Sequence, residues 1–98
     1  MVDERRSLAV RVYLSEGVCP WPRRDADAVL REFPGNGAEL LAYAEGVLCE
    51  MDSLPTDWPS ETYEGAISRV KGEMARRHPE LSKPAIDAIG RSFSYDWR

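Results

Sequence analysis

Seven prolines, at positions 20, 22, 34, 55, 59, 79 and 84, limit how long any regular segment of this chain can run. Proline fixes φ, lacks an amide N–H and biases the preceding residue away from helix. "VCPWPRR" therefore reads as an extended turn, "PGNG" as a helix stop and "PTDWP" as a second rigid turn. Between these breaks lie five helix-sized pieces, near 4–16, 25–33, 37–54, 60–77 and 83–94.

Each piece carries start signals and an apolar stripe. Asp3 caps the first and Gly17 ends it. In that segment Leu8, Val10, Val12 and Leu14 alternate as a strand would. A lone strand has no partner elsewhere in the chain, so helix is the reading adopted. Asp25 opens the second segment. In the third, Asn36 and Glu39 have capping-box spacing. Leu40, Ala44, Val47, Met51 and Leu54 then follow at helical intervals, widened by Leu41 and Leu48. Ser60 is expected to cap the fourth, whose apolar face is Tyr63, Ala66, Ile67, Val70 and Met74. Ser82 caps the fifth, which buries Ile86, Ile89 and Phe93. The expectation is a single all-α domain over 1–98, a small bundle with its core on helices three, four and five. On the back of helix three, Ala42, Gly46 and Cys49 form a strip of small residues, and burial of Cys49 under another helix or a second copy is expected. "WPRRDADAVL" and "WPSETYEGAI" echo each other, which a duplicated helical hairpin or simply a shared helix-entry motif explains.

Ninety-eight residues suffice for one hydrophobic core without metals or disulfides. No apolar run approaches the ~20 residues of a membrane span. "MVDERRSLAV" lacks the apolar centre and cleavage site of a signal peptide, so a cytoplasmic protein is expected. Cys19 and Cys49 then read as reduced structural thiols. Eleven of the thirteen basic residues are arginine, a bias that fits a GC-rich bacterial genome.

Charge is segregated. Residues 32–68 hold eight carboxylates and no Lys or Arg, against a net charge of −4 for the whole chain. Part of this is ordinary helix design: Glu61 and Glu64 suit the start of helix four, as Arg76 and Arg77 suit its end. Glu50 and Asp52 are different, because they sit near the C-terminal end of helix three with no basic residue within four positions. Asp57 adds charge in the linker, and Trp58 beside it offers a flat apolar contact or a core plug. Glu50, Asp52, Asp57, Glu61, Glu64 and Trp58 are therefore the candidate partner-binding residues. The competing reading is a solvated face neutralised by Arg from other helices.

Catalytic motifs are missing. His78, the sole histidine, lacks a second ligand at metal spacing and is expected to meet free carbonyls at the end of helix four. "PGNG" lacks the Lys of a phosphate loop, and no Ser or Cys sits in a nucleophile motif. No enzyme activity, metal or cofactor is expected. One stretch points elsewhere: "LSKPAIDAI" resembles the second helix of bacterial helix-turn-helix regulators, which often begin Ser-x-Pro-Ala. The resemblance spans nine residues and implies DNA binding through 69–98. Only Lys83 and Arg91 on that helix could touch phosphates, and Asp87 would repel them.

The function expected is a non-enzymatic interaction module of inhibitor, immunity or adaptor type that presents an acidic surface to a basic protein partner. The alternatives are a helix-turn-helix-like DNA-binding regulator and a homo-oligomeric subunit, such as a homodimer. No membrane partner is expected.

Overall fold

The computed structural model describes residues 2–17, 22–55 and 62–96, and these form helices and turns with no strand among them. The helices are α1 (Glu4–Tyr13), α2 (Ala26–Glu32), α3 (Gly37–Ser53), α4 (Tyr63–Arg77) and α5 (Lys83–Asp96). Asp3 caps α1 by accepting the Arg6 N–H at 3.0 Å, and Asp25 caps α2 by accepting the Ala28 N–H at 3.1 Å. Ser82 Oγ accepts the Ala85 N–H at 3.4 Å at the start of α5.

Several boundaries move from their sequence expectations. α1 stops three residues before Glu16, because the incoming chain takes its last carbonyls. The Asp25 N–H donates to Tyr13 O at 2.8 Å and the Arg23 N–H to Leu14 O at 3.3 Å. Ser15 enters the left-handed region at φ 57°, where its hydroxyl donates to Arg23 O at 2.7 Å, and Gly17 follows at φ 81°. The capping box of α3 is not formed: Asn36 has ψ 26° and makes no side-chain cap bond. α4 begins at Tyr63, capped by Thr62, which accepts the Gly65 N–H at 3.0 Å. Ser60 is not the cap and lies outside the described residues. Asp25 and Thr62 each stand four residues after a tryptophan. α5 runs two residues past the expected 94.

The apolar stripes bury largely as read. Leu40, Ala44, Val47, Leu48 and Met51 of α3, Ala66, Val70 and Met74 of α4, and Ile86, Ile89 and Phe93 of α5 all lie in the core. In α1, Ala9, Val10, Tyr13 and Leu14 are buried while Leu8 is 39% exposed. That is a helical face, and it resolves the strand-like alternation. The core is therefore wider than helices three to five, since α1 and Val29 of α2 complete it. α5 packs on α1, α3 and α4; α1 and α2 pack on each other and on α3. α4 lies along α5 rather than along α3, so α3 and α4 do not form a side-by-side hairpin.

The expected burial of Cys49 under another helix is overturned. Cys49 is exposed, as are Ala42 and Gly46. Every buried side chain of α3 falls on one arc of the helix, the side that faces α1, α2 and α5. The opposite arc is left to solvent. Gly37 shows the reverse situation. A Cβ there would stand 3.0 Å from Leu30 Cα, so the missing side chain is what lets α2 sit close on α3. Among the described residues no helix is long and apolar enough to cross a membrane.

These packing details give opposed outcomes for chemically similar changes. Leu48→Ala should lower stability by about 2–5 kcal/mol, since it empties a fully buried site. Gly37→Ala should destabilise by pushing α2 off α3. Gly46→Ala meets nothing within 4 Å in an exposed helix interior and should stabilise by about 0.5–1 kcal/mol. Urea midpoints of the three variants check the set, and a Gly46→Ala midpoint below wild type would contradict the open back face.

Candidate functional site

The outer arc of α3 presents Ala38, Ala42, Gly46, Cys49 and Ser53, all exposed. At 100° per residue, Glu45 and Asp52 border this strip on one side and Glu39 and Glu50 on the other. The last turn of α3 holds no basic residue. The result is a smooth ridge of small side chains between two rows of carboxylates.

The two rows do not carry equal free charge. Asp52 is clamped in a two-bond fork by Arg24, with both N–O distances 3.0 Å. Glu50 accepts from His78 Nε2 at 2.8 Å and from Arg77 at 3.5 Å. Glu39 and Glu45 are exposed and make no ion pair among the described residues. Arg24 precedes α2 and Arg77 ends α4, so the third helix acquires from its neighbours the cations it lacks in sequence.

The candidate residues are thus dispersed. Glu50 and Asp52 occupy opposite borders of α3 and are drawn into separate ion pairs. Glu64 is exposed in the first turn of α4. It stands roughly 20 Å along that helix from the end that meets Glu50, at 1.5 Å rise per residue. Asp57, Trp58 and Glu61 lie outside the described residues.

The feature that sequence reasoning missed is a polar junction around His78. Its ring meets carboxylates rather than carbonyls. Nδ1 lies 3.0 Å from Glu80 and Nε2 2.8 Å from Glu50, with the side chain only 15% exposed. Both ring nitrogens therefore face carboxylate oxygens. Glu80 also accepts from Tyr43 Oη at 2.5 Å. The Arg6 guanidinium sits 4.9 Å over the Tyr43 ring and pairs with Asp3. The Asp3 N–H donates to Glu80 O at 2.6 Å, and Ser7 Oγ accepts the Ser82 N–H at 2.9 Å. Residues of α1, α3, the end of α4 and the α4–α5 turn therefore meet at one point. The sequence signal was present, since His78 and Glu80 stand two apart at a helix end, but nothing local says that Glu50 and Tyr43 arrive there.

Electrostatics within the junction are set by competition. Burial raises Glu80, but hydrogen bonds from Tyr43, its own backbone N–H and His78 outweigh that and hold it below the ordinary carboxylate value. Burial, then the Glu80 hydrogen bond, push the Tyr43 hydroxyl well above the usual tyrosine range. On the exposed side of α4, hydrogen bonds from Arg76 and Arg77 lower Glu73 to about 2. Both nitrogens of the ring are occupied by internal partners, which makes the junction a fastening. Among the described residues no three His, Cys, Asp or Glu side chains group to hold a metal ion.

Compared with known proteins, this chain matches no family model, no curated protein and no solved structure.

The junction makes acid stability depend on Glu80. Because folding lowers its pKa, the unfolded chain takes up that proton first as pH falls. The stabilisation is complete above the unfolded value near 4.5 and is withdrawn below it. Glu80→Gln should therefore be less stable than wild type at pH 7, with the gap narrowing as pH falls below 4.5 in urea titrations. Tyr43 works in the opposite sense: its raised pKa gives stabilisation that is complete below pH 10 and lost above it. Phenolate absorbance should show late ionisation that Tyr43→Phe reduces, with Tyr13, raised by burial, accounting for the remainder.

Proposed function

We propose that this protein is a non-enzymatic interaction module whose α3 face receives a basic protein partner. One observation supports the reading above the others. The outer arc of α3 is exposed, bordered by carboxylates on both sides, and built of side chains small enough for close backbone approach. The fold does not use this face, yet it falls within a 37-residue stretch, 32–68, that has no Lys or Arg. Acidic borders steer a cationic partner and fix its orientation, while a small-residue ridge supplies the contact. Glu39 and Glu45 carry the free charge; Glu50 and Asp52 add to the field but are held by their own cations. A helix-turn-helix role for 69–98 has the α4–turn–α5 order in its favour. Against it, Lys83 and Arg91 are the only cations among the described residues of α5, too few to track a duplex backbone.

Because Asp52→Lys would break the Arg24 clamp and Glu50→Lys the His78 contact, the informative variant is Glu39→Gln/Glu45→Lys. It should fold as wild type, associate more slowly with the partner and lose most of the salt dependence of the association rate. Cys49, at the centre of the ridge, reports on the same face: partner binding should slow its reaction with a thiol reagent. Affinity capture from the source cells that returns the same partners for both proteins, with Cys49 reactivity unchanged by any of them, rejects the reading.

A further inference from the structure

On the other side of α4 the charge is reversed. A groove of about 450 Å³ runs between α4 and α5, lined among others by Ile67, Lys71, Lys83, Asp87, Gly90 and Arg91. Gly90 shapes its floor. A Cβ at that position would stand 2.6 Å from Lys71 Cδ and 2.8 Å from Lys71 Cγ, so the lysine stem lies across α5 where the side chain is missing. This brings Lys71 Nζ to 2.8 Å from Asp87. Asp87 is held below the ordinary carboxylate value, first by its Lys71 hydrogen bond, against burial, with the charges of Lys71, Lys83 and Arg91 adding to the lowering.

The carboxylates here do not balance the cations. Lys83 and Arg91 flank Asp87 one turn away on either side, but Asp87 is taken by Lys71. Lys83 makes no ion pair among the described residues. Arg91 reaches Glu16 at 3.2 Å, and that carboxylate is already shared with Arg11 at 3.0 Å. Among the described lining residues three cations face one carboxylate, and Glu16 offsets part of this surplus at Arg91. A separate observation points the same way. Lys83 is the first residue of α5, at the positive end of the helix dipole, and the first turn holds no acid to offset it. An anion seated between Lys83 and Arg91 would relieve both the surplus and the unfavourable end charge.

We propose that the α4–α5 groove is a binding site for a small dianion of the phosphate monoester class, held by Lys83 and Arg91 with Lys71 at its floor. The net positive lining matches an anion, and Arg with Lys is a suitable pair for phosphate oxygens. Ile67 and the Gly90 floor give an attached organic group an apolar surface. This site is distinct from the α3 face and does not depend on the reading proposed for it.

The test is titration of the ¹⁵N-labelled protein with AMP, inorganic phosphate and succinate at constant ionic strength, following backbone amides. AMP should give saturable shifts centred on Lys71 and residues 83–91. Inorganic phosphate should shift the same amides more weakly, since it lacks the organic group that would use the apolar floor, and succinate should be weaker still. Lys83→Gln/Arg91→Gln should reduce AMP affinity at least tenfold while leaving the unfolding transition cooperative. If the double variant does not fold, Lys83→Gln alone carries the test, because Lys83 is exposed and makes no ion pair among the described residues. Non-saturating shifts, shifts centred elsewhere, or equal AMP affinity in the folded variant would overturn the proposal.

Discussion

The apolar packing of α5 on three neighbours is the interaction on which the rest of this bundle depends. Ala85, Ile86, Ala88, Ile89 and Phe93 are buried, and α1, α3 and α4 each pack against this helix. α4 lies along α5 instead of α3, so α5 is what holds it in the bundle. Small residues make this crowding feasible: Ala85 and Ala88 let helices approach, and Gly90 lets Lys71 cross. At roughly 25 cal/mol per Å² of apolar area removed from water, a helix buried on three sides contributes far more than any surface ion pair. Ion pairs and caps then set details that burial leaves free, such as the direction in which each helix enters and leaves.

The polar junction at His78 is the clearest case of such detail. α4 ends beside α3 without packing along it, and Glu50, His78, Glu80 and Tyr43 fasten the two where apolar contact is lacking. His78 and Glu80 are largely shielded from solvent, so their bonds are worth more than exposed equivalents, and leaving either unpaired would cost correspondingly more. Charge in this molecule thus has three separate uses. Some carboxylates cap helices, as Asp3 and Asp25 do. Others join elements, as Glu50, Asp52 and Glu80 do. Glu39 and Glu45, with no such duty among the described residues, remain at the surface.

Much of the architecture was legible because it follows from short-range physics. Proline positions, Asp3 and Asp25 caps, and the 3.6-residue apolar stripes of α3 and α5 depend only on neighbours along the chain. The helix ends that moved did so for reasons outside that range. α1 ended early because residues 23 and 25 return to bond its final carbonyls, and the Asn36 capping box failed because the chain enters α3 with ψ 26°. Burial of Cys49 was misjudged because a small-residue strip permits packing but does not require it.

By itself, the sequence determined that the chain forms short amphipathic helices and that residues 32–68 hold carboxylates without bases. It also determined which side chains of α3 and α5 avoid water. Only the tertiary structure decided which carboxylates are spent internally. Glu50 and Asp52 lack a cation within reach along the helix, and they find one in Arg77, His78 and Arg24, 27 or more positions away. The same is true beside the α4–α5 groove, where Glu16, three residues past the end of α1, serves both Arg11 and Arg91. The physical reason is range: helix formation and amphipathic burial are read from residues three or four apart, whereas a net local charge is known only once every helix has been placed.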